Sequence, residues 1–258
     1  MALLLAGCAS TGNTDLAQAQ ADPWERNNRR IHRFNNGLDR FALRPATNVY
    51  RAAVPPPVRS AVTNAYGNYA EPANFANAVL QGKLDQAFRT LDRFLLNTTL
   101  GAGGILDVAT DLGRPRETED FGQTLARWGV KSGPYLVLPL FGPSTLRDGL
   151  ATSVDFFVDP ADITRNAWLS PGWDIRIAMI AGRTVTFRNS LTDAGADKLL
   201  ADSLDDYALA RSAFLQRRRL QLLDGKLLAE EDPFGEPEPE PEPEPAPEPA
   251  PEPTPPKL

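Results

Sequence analysis

Cys8 is the only cysteine in the chain, and it follows Leu5-Ala6-Gly7 at the end of a short apolar run. A lone thiol has no intrachain disulfide partner. An apolar stretch that ends in small residues directly before a cysteine reads as a lipobox. In that motif a peptidase cuts ahead of the cysteine, and its thiol and new amino group are acylated. The chemistry expected at Cys8 is therefore lipidation, and the plain alternative is a buried or idle cysteine after an ordinary start. Each buried methylene of an acyl chain contributes about 0.8 kcal/mol, and stable attachment takes more than one chain. No Lys or Arg precedes Cys8, and the apolar run is shorter than the roughly 7–15 residues of a secretory leader. Residues 1–7 thus read as the end of a leader that begins upstream of Met1.

Other side chains with chemical potential are sparse. His32 is the only histidine, so a Ser-His-Asp or Cys-His arrangement has to recruit it from a segment rich in Arg and Asn. No HExxH occurs, and no paired Cys/His spacing fits zinc. Gly101-Ala102-Gly103-Gly104 lacks the Lys-Ser/Thr that follows the glycines of a phosphate loop, and reads as a helix–helix connection. The residues predict no catalytic constellation, no metal and no cofactor. A protease, metalloenzyme or nucleotidase is not expected.

At 258 residues and 42% hydrophobic content the chain can bury one sizeable core. Its formal charge of −6 hides an asymmetry. Residues 230–258 hold ten acids and one base, so the tail carries −9 and the rest +3. The arginines of the mildly basic body are spread over many segments, and nucleic acid is not an expected partner. No apolar run approaches the roughly 20 residues of a spanning helix. A membrane role would fall to amphipathic helices lying in or on the bilayer.

Helical spacing of apolar residues, with no sustained alternation, predicts an all-α body without significant sheet. Residues 8–21 form a tether of small and polar residues behind the anchor. Asp22-Pro23 is expected to open a helix, Asp as N-cap and Pro in the first turn. Trp24, Ile31, Phe34, Leu38 and Phe41 then recur on one stripe, accompanied by Arg26, Arg29, Arg30, Arg33 and Arg40. Such a helix either lies at a bilayer interface with its arginines toward anionic headgroups, or is a surface helix with a core stripe. Pro55-Pro56-Pro57 launches the next helix, Glu71-Pro72 is expected to restart it, and Gly82 stops it. Leu84, Phe88, Leu91, Phe94 and Leu95 mark another, which ends before the glycine cluster. Tyr135 to Phe141 is nearly all apolar between Gly-Pro pairs, and reads as a buried or membrane-inserted loop because Pro139 disfavours a central strand. Ser144 is expected to cap the following helix. Two long helices, about 173–200 and 202–228, complete the body, the second with Arg211, Arg217, Arg218 and Arg219 on a polar face. From Asp232 the Pro-Glu repeat is expected to stay extended, either as a spacer or lure for a basic partner, or as a dispensable tail.

In order along the chain, several motifs resemble the MlaA (VacJ) family of outer-membrane lipoproteins. They begin with Asp22-Pro23-Trp24-Glu25, Asn28-Arg29, Phe34-Asn35 and Leu38-Asp39, then Pro45, Tyr50, Asn68, Glu71-Pro72, Asn77 and Leu80-Gln81-Gly82. Arg93 to Thr99 and Asp107 follow, then Phe121 to Leu125, Trp128-Gly129-Val130, Gly133 to Pro139, Gly142-Pro143-Ser144 and Arg147-Asp148. The resemblance covers about 22–215 and excludes the Pro-Glu tail. It implies a ring-like body of amphipathic helices, spanning 22–229, embedded in the inner leaflet of the outer membrane. Misplaced outer-leaflet phospholipids would pass through an amphipathic channel to the periplasmic lipid carrier MlaC, with a trimeric porin holding the lipoprotein in place. Ala9 after the acylated cysteine agrees by analogy with outer-membrane sorting on the periplasmic face. On this reading Phe34, Asn35, Asn36, Gly101, Gly103 and Gly104 are candidate channel or gate residues. Trp24, Tyr135, Leu136, Leu138 and Phe141 are candidate membrane contacts. Two other functions remain open: a structural tether linking the outer membrane to porin or cell wall, and a phospholipase-like enzyme that depends on His32.

Overall fold

Punctuation by proline, glycine and aspartate accounts for most element boundaries in the computed structural model, which describes residues 19, 21–158 and 173–224. Cys8, nearly all of the tether, the C-terminal end of the last expected helix and the Pro-Glu tail lie outside those residues. Helix α1 (Glu25–Leu38) runs through a wide π-type turn, Asp39–Leu43, into α2 (Arg44–Ala53). Asp22 does not cap α1, contrary to expectation. Its φ is +43°, and its buried carboxylate accepts from Asn28 Nδ2 at 2.8 Å and from the Tyr207 hydroxyl. Tertiary partners have captured the group that would otherwise serve the helix end.

Helices α3 (Pro56–Leu80) and α4 (Leu84–Thr99) form an antiparallel pair joined at Gly82, whose φ of +75° suits a residue without Cβ. The expected restart at Glu71-Pro72 does not occur, and α3 is continuous over 25 residues. Proline in a helix interior costs about 3 kcal/mol. Here Asn68, Glu71 and Asn74 flank it, and all three are held by hydrogen bonds to neighbouring side chains. Those bonds keep the helix on course through the proline.

Two short helices follow, α5 (Val108–Asp111) and α6 (Phe121–Arg127), each capped by an aspartate: Asp107 accepts from Thr110 N and Asp120 from Gln123 N. The segment read as a loop is instead half of a hairpin. Strand β1 (Tyr135–Leu138) pairs antiparallel with β2 (Gly142–Thr145), from Tyr135↔Thr145 to Leu138↔Gly142. Pro139 sits in the turn, where its missing N–H breaks no ladder bond. Among the described residues the body is therefore mainly helical with one small sheet.

Helix α1 holds the outer edge of β1 with two asparagines, seven residues apart on one face. Asn28 donates to Tyr135 O and accepts from Val137 N, both at 3.0 Å. Asn35 donates to Leu138 O and accepts from Leu140 N, both at 2.9 Å. Each carboxamide thus stands in for a neighbouring strand. Asn28→Ala is expected to destabilise the fold by about 2–3 kcal/mol, because it strands a buried donor and a buried acceptor together; chemical unfolding in detergent measures this.

Thr145, the last residue of β2, and not Ser144, starts α7 (Leu146–Val158): its hydroxyl accepts from Asp148 N at 3.2 Å, while the Ser144 hydroxyl donates to the Thr145 carbonyl. The expected 173–200 helix divides at Gly195 (φ +77°) into α8 (Trp173–Asp193) and α9 (Ala196–Ala201). Helix α10 (Asp206–Leu222) begins later than expected, at Asp205, which caps it by accepting from Ala208 N.

Candidate lipid-facing surface and polar interior

Helix α4 states the organising feature. Leu84, Phe88, Leu91 and Leu95 share one face at i, i+4, i+7 and i+11 spacing. Leu84, Phe88 and Leu95 are 58, 66 and 51% exposed. The opposite face carries Gln86, Thr90, Arg93 and Asn97 at the same spacing, and all four are buried. Apolar residues therefore face outward and polar residues inward, the reverse of a water-facing helix.

The inversion extends beyond α4. On α1 the buried residues are Asn28 and His32, whereas Phe34 is exposed and Phe41, in the π-type turn, is 80% exposed. The stripe read from the sequence thus divides: Ile31 packs against the small core while Phe34 and Phe41 leave it. Among the described residues, the buried apolar set reduces to five alanines with Tyr135, Val137 and Tyr207. No helix among them is long and apolar enough to cross a membrane.

Three linked polar clusters occupy much of the interior among the described residues. Glu71 Oε1 accepts from Arg93 Nε at 3.4 Å and Arg116 Nε at 3.1 Å, while its Oε2 accepts from Asn74. Arg93 also donates to Asp107, Thr110 and the Arg114 carbonyl, and Asn97 donates to Asp107 at 2.9 Å. Next to this, Glu119 accepts from Gln81, Lys83 and Gln86 at 2.7–3.0 Å. Thr124 donates to Asn77 at 2.8 Å. The third cluster joins α10 to α6 and α7: Arg218 spans Asp120 (2.6 and 2.9 Å) and Asp148 (2.8 Å), with Arg147 on Asp148. Arg218, read from the sequence as part of a polar face, is buried.

These clusters were not singled out from sequence. Their signal is present as polar residues at helical spacing, Gln86-Thr90-Arg93-Asn97 on α4 and Asn68-Glu71-Asn74-Asn77 on α3.

The candidate membrane contacts separate by position. Trp24 and Phe141 are exposed, Leu136 and Leu138 are half-buried, and Tyr135 is fully buried against Tyr207, Phe214 and Arg211. Its inward-facing place in β1 removes Tyr135 from the surface. The hairpin turn instead presents Leu140, part of the same apolar run but not among the candidate contacts, at 76% exposure beside Phe141. Leu140 has a φ of +70°, a left-handed conformation that costs a non-glycine residue roughly 1–2 kcal/mol, and its N–H is held by Asn35.

The candidate gate residues lie on separate supports. Phe34 is exposed, Asn35 clamps the hairpin, and Asn36 donates to Asp206 Oδ2 at 2.7 Å. Gly101, Gly103 and Gly104 form the turn after α4, where a Cβ on Gly104 (φ +91°) would overlap the Asn68 side chain. This turn is closely packed on α3. His32 packs edge-on against Tyr207 with centroids 5.6 Å apart, and its Nε2 lies 3.3 Å from Asp206 and 3.2 Å from Asn36. Those contacts tie α1 to α10.

The ion pairs give the fold an acid limit. Two hydrogen bonds from Arg29 hold the Asp205 carboxyl down to about 2. Burial raises the Asp120 pKa, but the Arg218 hydrogen bonds and charge outweigh it and the net shift is downward. A carboxylate depressed in the folded state stabilises it above the unfolded value, near 4, and loses that contribution as pH falls through the folded value. Near-UV circular dichroism is expected to decay between about pH 4 and 2. The stability gap between the parent and Arg218→Gln should narrow across the same window.

Comparison with known proteins follows the same lines. The family model described as MlaA lipoprotein matches residues 20–221. The intermembrane phospholipid transport system lipoprotein MlaA of Escherichia coli (strain K12) is 37% identical over 235 residues, 89% of each chain. The Haemophilus influenzae protein of that name is 31% identical over 241 residues, 90% of this chain and 91% of its own. A solved structure from work on the structural basis for maintenance of bacterial outer membrane lipid asymmetry superposes with a TM-score of 0.65 at 36% identity. The match covers 78% of this chain and 98% of that one.

Proposed function

From the premise that this chain belongs to the MlaA lipoprotein family, we propose that it removes misplaced phospholipid from the outer leaflet of an outer membrane. The lipid then passes to a periplasmic carrier of the MlaC kind. Residues 8–21 would tether the body to acylated Cys8 on the periplasmic side, and a trimeric porin would hold it in place. The observation that carries the reading is the inverted α4, with Leu84, Phe88 and Leu95 outward and Gln86, Thr90, Arg93 and Asn97 inward. A body with that pattern is suited to acyl chains outside and polar groups within. A conduit for a phospholipid has to accept both, and moving the lipid calls for no bond to be made or broken. The exposed Leu140–Phe141 turn and Trp24 supply points of contact with the bilayer. The channel lining, and any gate at Phe34–Asn36 or Gly101–Gly104, belong to this proposal.

The test is outer-leaflet phospholipid in a deletion strain, complemented by the full-length gene or by Cys8→Ala. Accumulation corrected only by the acylatable form is expected. An unchanged outer leaflet in the deletion strain would overturn the reading.

A further inference from the structure

Helix α1 turns a second face outward. Arg26, Arg30 and Arg33 stand at i, i+4 and i+7, and Arg40 follows on the same stripe one turn beyond Gly37. All four are exposed, and none makes an ion pair among the described residues. Their neighbours show the contrast. Arg29 is held by Glu25 and Asp205, Arg44 by Asp39 and Asp197, and Arg188 by Asp39 and Asp197. Carboxylates are thus at hand on this side of the molecule, and Asp206 lines the same small cavity as Arg33, yet no ion pair to the stripe forms among the described residues. Beside it lie Phe34 and Phe41, with the Arg40 guanidinium 5.7 Å from the Phe41 ring centre, and Asn35 fastens the exposed Leu140–Phe141 turn to the same helix.

We propose that this stripe is a docking surface for anionic phospholipid headgroups, so that the protein seats preferentially on bilayer patches rich in phosphatidylglycerol or a similarly charged lipid. The proposal rests on the membrane seating argued above and adds the charge class of the lipid. Guanidinium groups in a row, flanked by apolar side chains at the same surface, match a plane of phosphates above acyl chains. Each arginine near such a surface strengthens binding by about fivefold, and the effect fades beyond about 8 Å at physiological salt. A surface of zwitterionic headgroups offers no net charge for four unpaired cations.

The experiment dilutes the detergent-purified full chain into two kinds of vesicle, phosphatidylcholine alone and phosphatidylcholine with about a third phosphatidylglycerol, and measures the bound fraction by flotation. The parent is expected to favour the anionic vesicles by at least tenfold, with the preference shrinking as salt is raised. The R26Q/R30Q/R33Q/R40Q variant is expected to bind both kinds alike, and the four Arg→Lys changes should keep the preference. Should the quadruple variant not fold, R26Q/R33Q and R30Q/R40Q each give a partial loss under the same readout. An anionic-to-neutral ratio unchanged in the Gln variants would overturn the proposal, while binding to neutral vesicles would still report on the apolar seating. Failure of the parent to bind either vesicle would instead overturn that seating and, with it, this inference.

Discussion

Replacing Arg93 with Met is expected to lower folding stability by about 3–5 kcal/mol, the cost of stranding the partner of a buried ion pair. The Arg93 side chain is 2% exposed and that of Glu71 is completely buried. Removing the guanidinium leaves Glu71 to Arg116 and Asn74 alone, and takes donors from Asp107, Thr110 and the Arg114 carbonyl at once. Asp107 and Arg116 keep partial access to solvent, so they can rehydrate, but Glu71 cannot. The double variant Arg93→Met/Glu71→Leu should therefore recover much of the loss, since an apolar pair of similar volume often replaces a buried ion pair at little cost. Denaturant unfolding followed by tryptophan fluorescence in detergent measures both. A loss below about 1 kcal/mol for Arg93→Met would show that the cluster is hydrated rather than structural.

Helices were legible in the sequence because apolar residues at 3.6-residue spacing leave a stripe whatever they face. The sign of the stripe was not legible. Leu84, Phe88 and Leu95 would repeat in the same way against a protein core or against acyl chains. The deciding residues are on the other face, where Arg93 and Gln86 do not belong on the dry side of a water-soluble helix unless every donor is matched. The hairpin escaped for a different reason. Strands of four residues are too short for alternation to stand out, and the partners of β1 include side chains of Asn28 and Asn35, more than a hundred residues away. Pro72 misled because local propensity favoured a break and tertiary hydrogen bonds overrode it. Asp22 misled likewise, a capping residue drawn off by Tyr207 from the far end of the body.

The outward face of α4 decides between the two solvents, and Leu84→Asp/Phe88→Asp tests it. In water both positions are already exposed, and surface substitutions of this kind shift stability by no more than about 0.5 kcal/mol. Such a protein would fold as before and be more soluble. Against acyl chains each aspartate costs about 2.5–3.5 kcal/mol at the bilayer centre and less toward the interface. The pair would then weaken membrane retention by up to roughly four to five powers of ten, less if the face lies toward the interface. Flotation of the full chain with vesicles reads retention, and far-UV circular dichroism in detergent checks that the helices persist. Arg89→Ala on the flank of the same helix serves as a control: Arg89 is exposed and its partner Glu117 only half-buried, so little change is expected in either readout. Retention equal to that of the parent would mean that Leu84 and Phe88 do not meet acyl chains. Loss of retention with helicity intact would assign the cover of this face to lipid, because the substitution leaves the buried Gln86, Thr90, Arg93 and Asn97 face untouched and changes only what the outer face can dissolve in.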